Sequence, residues 1–154
     1  MIIRRVKKED IESFVEVYQK AYRGLEEYAY TRRRDIKYYF KWLYARDKDG
    51  FMVAEIDGKA VGFLACDTNW ISIFEAKRIG EIHEIFVLPE YQKMGIGTSL
   101  MIKALIYIKS RGLNEAGLWV GEKNYKAIKF YKKFGFRDVG VWGRWIRMVK
   151  ELDE

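Results

Sequence analysis

The chain has 154 residues, with 29 Lys and Arg against 22 Asp and Glu and a formal net charge of +7. With 49% hydrophobic residues it is expected to fold as one domain over residues 1–154, not to be disordered. No apolar run reaches membrane-helix length, the start M-I-I-R-R-V-K-K-E-D is too weak for a secretory leader, and the lone Cys66 excludes an internal disulfide and a multi-cysteine zinc site.

A cytoplasmic protein without a metal centre is therefore expected. The positive surplus suits either nucleic acid or a highly phosphorylated small anion. No RRM, zinc-finger or helix-turn-helix signal supports nucleic acid, which is not the expected partner. The high charge content of 33%, with few Asn and Gln, resembles a thermophile's composition.

In chain order, Ile2 to Val6 reads as a short strand. Apolar residues recurring at three and four from Ile11 to Leu25 predict an amphipathic helix to about Gly24. Thr31 is placed to cap a second helix, with Ile36, Phe40, Leu43 and Tyr44 inward. Phe51 to Ile56 and Lys59 to Cys66 read as strands around Asp57-Gly58, a strong hairpin signal. Asn69 to Arg78 reads as an irregular, aromatic connection, and Gly80 to Leu88 as a central strand. A helix follows from Gly95 to about Arg111, then a buried strand around Leu118 to Val120. A last helix covers Asn124 to Phe134. Phe136 to Trp142 and Trp145 to Val149 close the chain as a hairpin around Gly143. Pattern alone gives α/β or α+β.

The stretch from Ile79 to Thr98 is I-G-E-I-H-E-I-F-V-L-P-E-Y-Q-K-M-G-I-G-T. A strand ends at Pro89, a turn carries two glycines two apart, and a helix begins. Such a junction points several backbone N–H groups at one spot, where the helix dipole adds positive potential. That geometry binds a phosphate or pyrophosphate. A Walker pattern is absent. A dinucleotide fingerprint would need a small residue where Leu100 stands, and Glu115 is poorly placed for a ribose hydroxyl.

Gln92-x-x-Gly95-x-Gly97 resembles the acyl-CoA signature Q/R-x-x-G-x-G/A of the GNAT superfamily of N-acetyltransferases. Asn124 to Phe136, N-Y-K-A-I-K-F-Y-K-K-F-G-F, resembles that family's second signature, N-x-x-A-I-x-x-Y-x-x-x-G-F. The two stand one helix and one strand apart, as in the family. The resemblance implies a mixed, mostly antiparallel central sheet flanked by helices. It implies acetyl-CoA as cofactor, CoA as product, no metal, and direct attack by a primary amine in a ternary complex. Gln92, Lys93, Met94, Gly95, Ile96, Gly97 and Thr98 would surround the pyrophosphate. Ile85, Phe86 and Val87, on a bulged strand that splays from its neighbour, would offer main-chain groups to pantetheine. Asn124 would bond the same arm, and Tyr131 would protonate the leaving sulfur.

For the base, the resemblance offers two positions, besides a water route to solvent. Glu81 falls where histone acetyltransferases keep a glutamate, and His83 where the aralkylamine type keeps a histidine. They are two apart and share a strand face. Glu84 would face the other way unless a bulge begins before it. Trp119 stands where ribosomal-protein acetyltransferases carry a glutamate, a departure from that activity. The acceptor, a small-molecule or peptide amine, would meet aromatics from the first two helices, the 69–78 connection and the closing hairpin: Tyr22, Tyr28, Tyr30, Trp70, Phe74, Trp142 and Trp145. The alternative is a non-catalytic acyl-CoA sensor on the same fold. The aromatic-rich ends exceed what one small core hides, so a homodimer through the closing strands or first helices is expected.

Overall fold

In a computed structural model, which describes residues 1–153, the chain forms a seven-stranded sheet in the order β1-β2-β3-β4-β5-β7-β6. The strands are β1 (Ile2–Arg5), β2 (Phe51–Ile56), β3 (Lys59–Ser72), β4 (Lys77–Val87), β5 (Glu115–Gly121), β6 (Arg137–Trp142) and β7 (Trp145–Glu151). The helices are α1 (Ile11–Ala21), α2 (Arg33–Arg46), α3 (Ile96–Ser110) and α4 (Tyr125–Lys133). Every neighbouring pair is antiparallel except β4 and β5. The expected mixed, mostly antiparallel sheet flanked by helices is therefore present.

The core divides by sheet face. Phe51, Phe63 and Phe86 come from three adjacent strands and converge on Phe14 of α1, ring centroids 5.2–5.8 Å away. Gly62 and Gly80 point the opposite way, toward α3. A side chain at Gly62 would crowd the Phe86 carbonyl and Val87 and touch Ile96, and one at Gly80 would overlap Ile108. Asp57 and Gly58 both have positive φ, 50° and 78°, as a two-residue primed turn requires.

Three expectations need correction. The segment from Asn69 to Arg78 is not irregular. β3 continues to Ser72 and β4 begins at Lys77, a long hairpin closed by a tight turn. Its regular alternation is hidden by a register shift between Asp67 and Trp70. The first helix stops at Ala21, short of Gly24, and the second starts at Arg33 with Arg32, not Thr31, at the cap.

β4 carries a second register shift. Ala65 pairs with Glu84 and Cys66 with Ile82, so His83 is the extra residue of a bulge. On its other side, β4 pairs with β5 only at Gly80–Ala116 and Glu81–Gly117. Beyond that point the two parallel strands part, and the main-chain groups of Ile82 to Val87 on that side meet no strand.

Candidate active site

The parted strands open a cleft of about 1010 Å³. One wall is β4 from Glu81 to Val87, another is the turn and first residues of α3, and a third is α4 with Tyr131. The segment between α1 and α2 closes one end. There Tyr28 packs edge-on to Trp145, and its hydroxyl accepts the Lys123 N–H at 3.0 Å. Gly121 lacks a side chain because a Cβ would meet the Tyr28 ring.

At the head of α3, Gly95 is the N-cap with φ +78°, and Lys93 also has positive φ, +71°. No side chain caps the helix. The N–H groups of Lys93 to Thr98 have no carbonyl partner among the described residues. A first turn with free donors and the positive end of the helix dipole therefore faces the cleft. A Cβ on Gly97 would only touch the Phe130 ring, at 3.5 Å, so this glycine keeps the approach to the donors open. Gln92 braces the turn: its Nε2 donates to the Val87 carbonyl at 3.2 Å, and Lys126 Nζ donates to its Oε1 at 3.1 Å. Met94 departs from its expected neighbours, since its side chain is 59% exposed and does not line the cleft. Asn124 caps α4 by accepting the Ala127 N–H, and it also borders the cleft.

Tyr131 is buried, and its ring packs against Phe130 and Phe136. Burial raises its phenol above the ordinary range, and the charge of Glu84 raises it further. It stays protonated at any working pH and can donate.

Glu81, His83 and Glu84 all face the side of α1 and α2, because the bulge lets consecutive residues share one face. The bulge begins before Glu84, the condition under which it joins the active face. Each of the three has a different setting. Glu81 is 3% exposed and receives Arg147 Nη1 from β7 at 2.7 Å, while its Oε1 has no partner among the described residues. His83 bonds Asp67 through Nε2 at 2.9 Å, with the rings of Trp42 and Trp70 centred 5.0 and 4.9 Å away. Burial pulls the Asp67 carboxyl upward. Hydrogen bonds from His83, Arg46 and the Asn69 N–H outweigh it and hold the carboxyl below the usual range. Facing an ionised Asp67, Nε2 must carry a hydrogen and donate. Glu84 accepts the hydroxyls of Tyr22 at 2.5 Å and Tyr39 at 2.8 Å. Burial pushes its carboxyl up to about 7, although the two hydroxyls and nearby His83 pull the other way.

The sequence reading missed Arg147 and the part of Glu84. An arginine inside the strand run W-I-R-M-V signals a buried charge, but nothing local names its partner. Tyr28, Tyr30, Trp142 and Trp145 line the cleft as expected. Trp70 and Phe74 do not: Trp70 packs edge-on against His83, and Phe74 packs outside, against Trp119 and Trp142. Arg32 and Arg33 are spent on Asp35 and Glu12.

A sheet that parts beside a free helix N-terminus, with a tyrosine and carboxylates in the same cleft, is the layout of an acyl-cofactor transferase. Residues 11–136 match the family described as acetyltransferase (GNAT). An uncharacterized N-acetyltransferase of Archaeoglobus fulgidus is 65% identical over 131 residues, covering 85% of this chain and 89% of that protein. One from Methanocaldococcus jannaschii is 51% identical over 150 residues; the match covers 97% of this chain but 66% of that protein's length. Among solved structures, PH1933 from Pyrococcus horikoshii superposes with TM-score 0.90 at 40% identity, covering 99% of each chain. The PaiA N-acetyltransferase of Thermoplasma acidophilum, in complex with coenzyme A, superposes with TM-score 0.82 at 23% identity, covering 97% of this chain and 98% of that one. The chain belongs to the GNAT acetyltransferase family and is an N-acetyltransferase.

The setting of Glu84 has a consequence for stability. Its carboxyl titrates near 7 when folded, against 4.5 for an unperturbed glutamate. Between these values the folded state binds more protons, so this contribution to stability is present at low pH and lost as pH rises through 7. Glu84→Gln removes the titration. In thermal melts the variant should gain on wild type from about pH 5 to about pH 8; a difference that does not change with pH would contradict this account.

Proposed function

We propose that this chain transfers the acetyl group of acetyl-CoA directly to a primary amine of a small molecule or peptide, within one ternary complex. The observation that carries the reading is the shared cleft: free N–H groups at the head of α3, the unpaired edge of β4 and the Tyr131 hydroxyl all border it. The PaiA neighbour with bound coenzyme A supports the choice of cofactor through its fold.

In this reading the pyrophosphate lies on the N–H groups from Lys93 to Thr98, with Lys93 adding charge. The pantetheine arm follows Ile85, Phe86 and Val87 as an added strand would, and meets Asn124. A main-chain N–H of β4 polarises the thioester carbonyl. Tyr131 gives its proton to the departing thiolate. These groups hold and orient acetyl-CoA, and no covalent enzyme intermediate is needed once amine and thioester meet. The buried free thiol of Cys66, raised by burial, takes no part. We place the enzyme in the cytoplasm. We also propose a homodimer over the fully exposed strand β6, where Val141 and Trp142 present apolar surface beside Phe74. Light scattering at micromolar concentration should return twice the chain mass; a single-chain mass would end that proposal.

Incubating the enzyme with labelled acetyl-CoA and cell extract, then reading acetylated amines by mass spectrometry, tests the activity. Gly97→Val should fold as wild type yet lose at least about tenfold in acetyl-CoA affinity by calorimetry, since its branch screens the α3 donors. Unchanged affinity would remove the phosphate-loop assignment. Tyr131→Phe should keep acetyl-CoA affinity and lower kcat by ~10²–10⁴-fold. Full turnover, measured where chemistry limits the rate, would remove the acid.

A further inference from the structure

We propose that Glu84 is the general base of the transfer, taking the proton of the acceptor ammonium, an assignment that rests on the acetyl-transfer reading above. The two residues singled out by sequence position are both tied to a charged partner, although Glu81 keeps its Oε1 unpaired among the described residues. Glu81 is held by Arg147 at 2.7 Å, deep in the sheet. His83 gives its Nε2 hydrogen to Asp67, which Arg46 also holds. Glu84 has no cationic partner among the described residues, and it borders the same cleft as Tyr131.

Its position comes from the bulge at His83, which turns Glu84 toward α1 and α2. The groups facing it from each packed element are phenols: Tyr18 from α1, Tyr22 from its C-cap, Tyr39 from α2 and Tyr131 from α4. From its own strand, His83 adjoins it. Two of those phenols hold its oxygens in place, one bond to each oxygen, at 2.5 and 2.8 Å. Each carboxylate oxygen keeps a second lone pair. Burial among apolar rings keeps the carboxyl near 7, where it is both ionised and basic enough to accept a proton.

The step balances without a co-reactant. The Glu84 carboxylate takes one proton from R–NH₃⁺, leaving R–NH₂. The amine lone pair forms the C–N bond at the thioester carbonyl carbon. The C–S bond then breaks, and its electron pair leaves on sulfur with the Tyr131 proton. The tyrosinate recovers a proton from the new amide nitrogen, and Glu84 releases its proton to solvent.

The test is kcat/KM against pH with an amine panel of spermidine, tyramine, lysine and a free-N-terminal tetrapeptide, plus any acceptor found in extract. Wild type should show an acidic limb near pH 7. Glu84→Gln should retain acetyl-CoA affinity, lower kcat by ~10²–10⁴-fold and lose the limb. Tyr22→Phe and Tyr39→Phe each remove a donor to the carboxylate and should move the limb to higher pH, a shift that a packing defect would not produce. A limb that survives Glu84→Gln, or one that disappears with Glu81→Gln or His83→Gln instead, overturns the assignment while leaving acetyl transfer intact. Wild-type enzyme that binds acetyl-CoA but acetylates no amine overturns the transfer reading and the base with it.

Discussion

The site depends on one break in hydrogen bonding, the point where β4 leaves β5. Glu81–Gly117 is the last paired position, and Glu81 receives the Arg147 guanidinium there. Arg147 reaches across β5 from β7 because Gly117 has no side chain in its path; a Cβ would overlap the guanidinium. The same guanidinium lies 5.4 Å from the Trp119 ring centre and bonds Glu75 at 2.7 Å. Three strands and the β3–β4 turn are therefore tied together at the apex of the split. A buried ion pair of this kind adds little net stability, since desolvation of both charges offsets their attraction. Its effect is positional. Losing either partner would leave a charge buried alone, so the strands stay closed up to Glu81 and are free to diverge after it.

Divergence alone would leave an unpaired strand edge. The bulge at His83 adds a second effect. It alters which side chains face α1 and α2, so that Glu81, His83, Glu84 and Phe86 all share that face. Phe86 joins the aromatic core around Phe14 and anchors the end of the bulged segment. The polar residues between it and the apex are then held at fixed heights along the cleft. Each finds a different partner: a guanidinium, an imidazole–carboxylate pair and two phenols. Two glutamates three residues apart therefore sit in different surroundings, one on a guanidinium and one between two phenols.

The parts of the structure legible in the sequence were those written in adjacent residues. Asp57-Gly58 specified its hairpin, and Gln92 to Thr98 specified a turn feeding a helix, because turn conformation and helix start are local matters. The order of elements followed for the same reason. What escaped was set by contacts between distant segments. Arg147 and Glu81 are 66 residues apart, and Tyr22 and Glu84 are 62 apart. The bulge itself was implied by the family resemblance, but its position at His83 was not. E-I-H-E-I-F-V loses its alternation at His83-Glu84, but only the pairing with β3 shows which residue is the extra one. The 69–78 hairpin was lost because a register shift broke the alternation that marks a strand. In both places, the strand is defined by its pairing rather than by an unbroken local pattern.

The cleft also has an electrical direction. One end gathers the free N–H groups of α3, Lys93 and Lys126; the other holds the carboxylates of Glu81 and Glu84. A polyanionic cofactor and a cationic amine would be drawn to opposite ends of a cavity whose aromatic walls screen charge poorly. In the proposed reaction their reactive atoms then meet between the two poles, near Tyr131. Charge that accumulates on the leaving sulfur would face a phenol which burial keeps protonated. The incoming ammonium would face Glu84, whose carboxyl burial has made more basic. The same desolvation thus preserves the acid and strengthens the base, and it requires only that the split sheet be deep enough to exclude water from both.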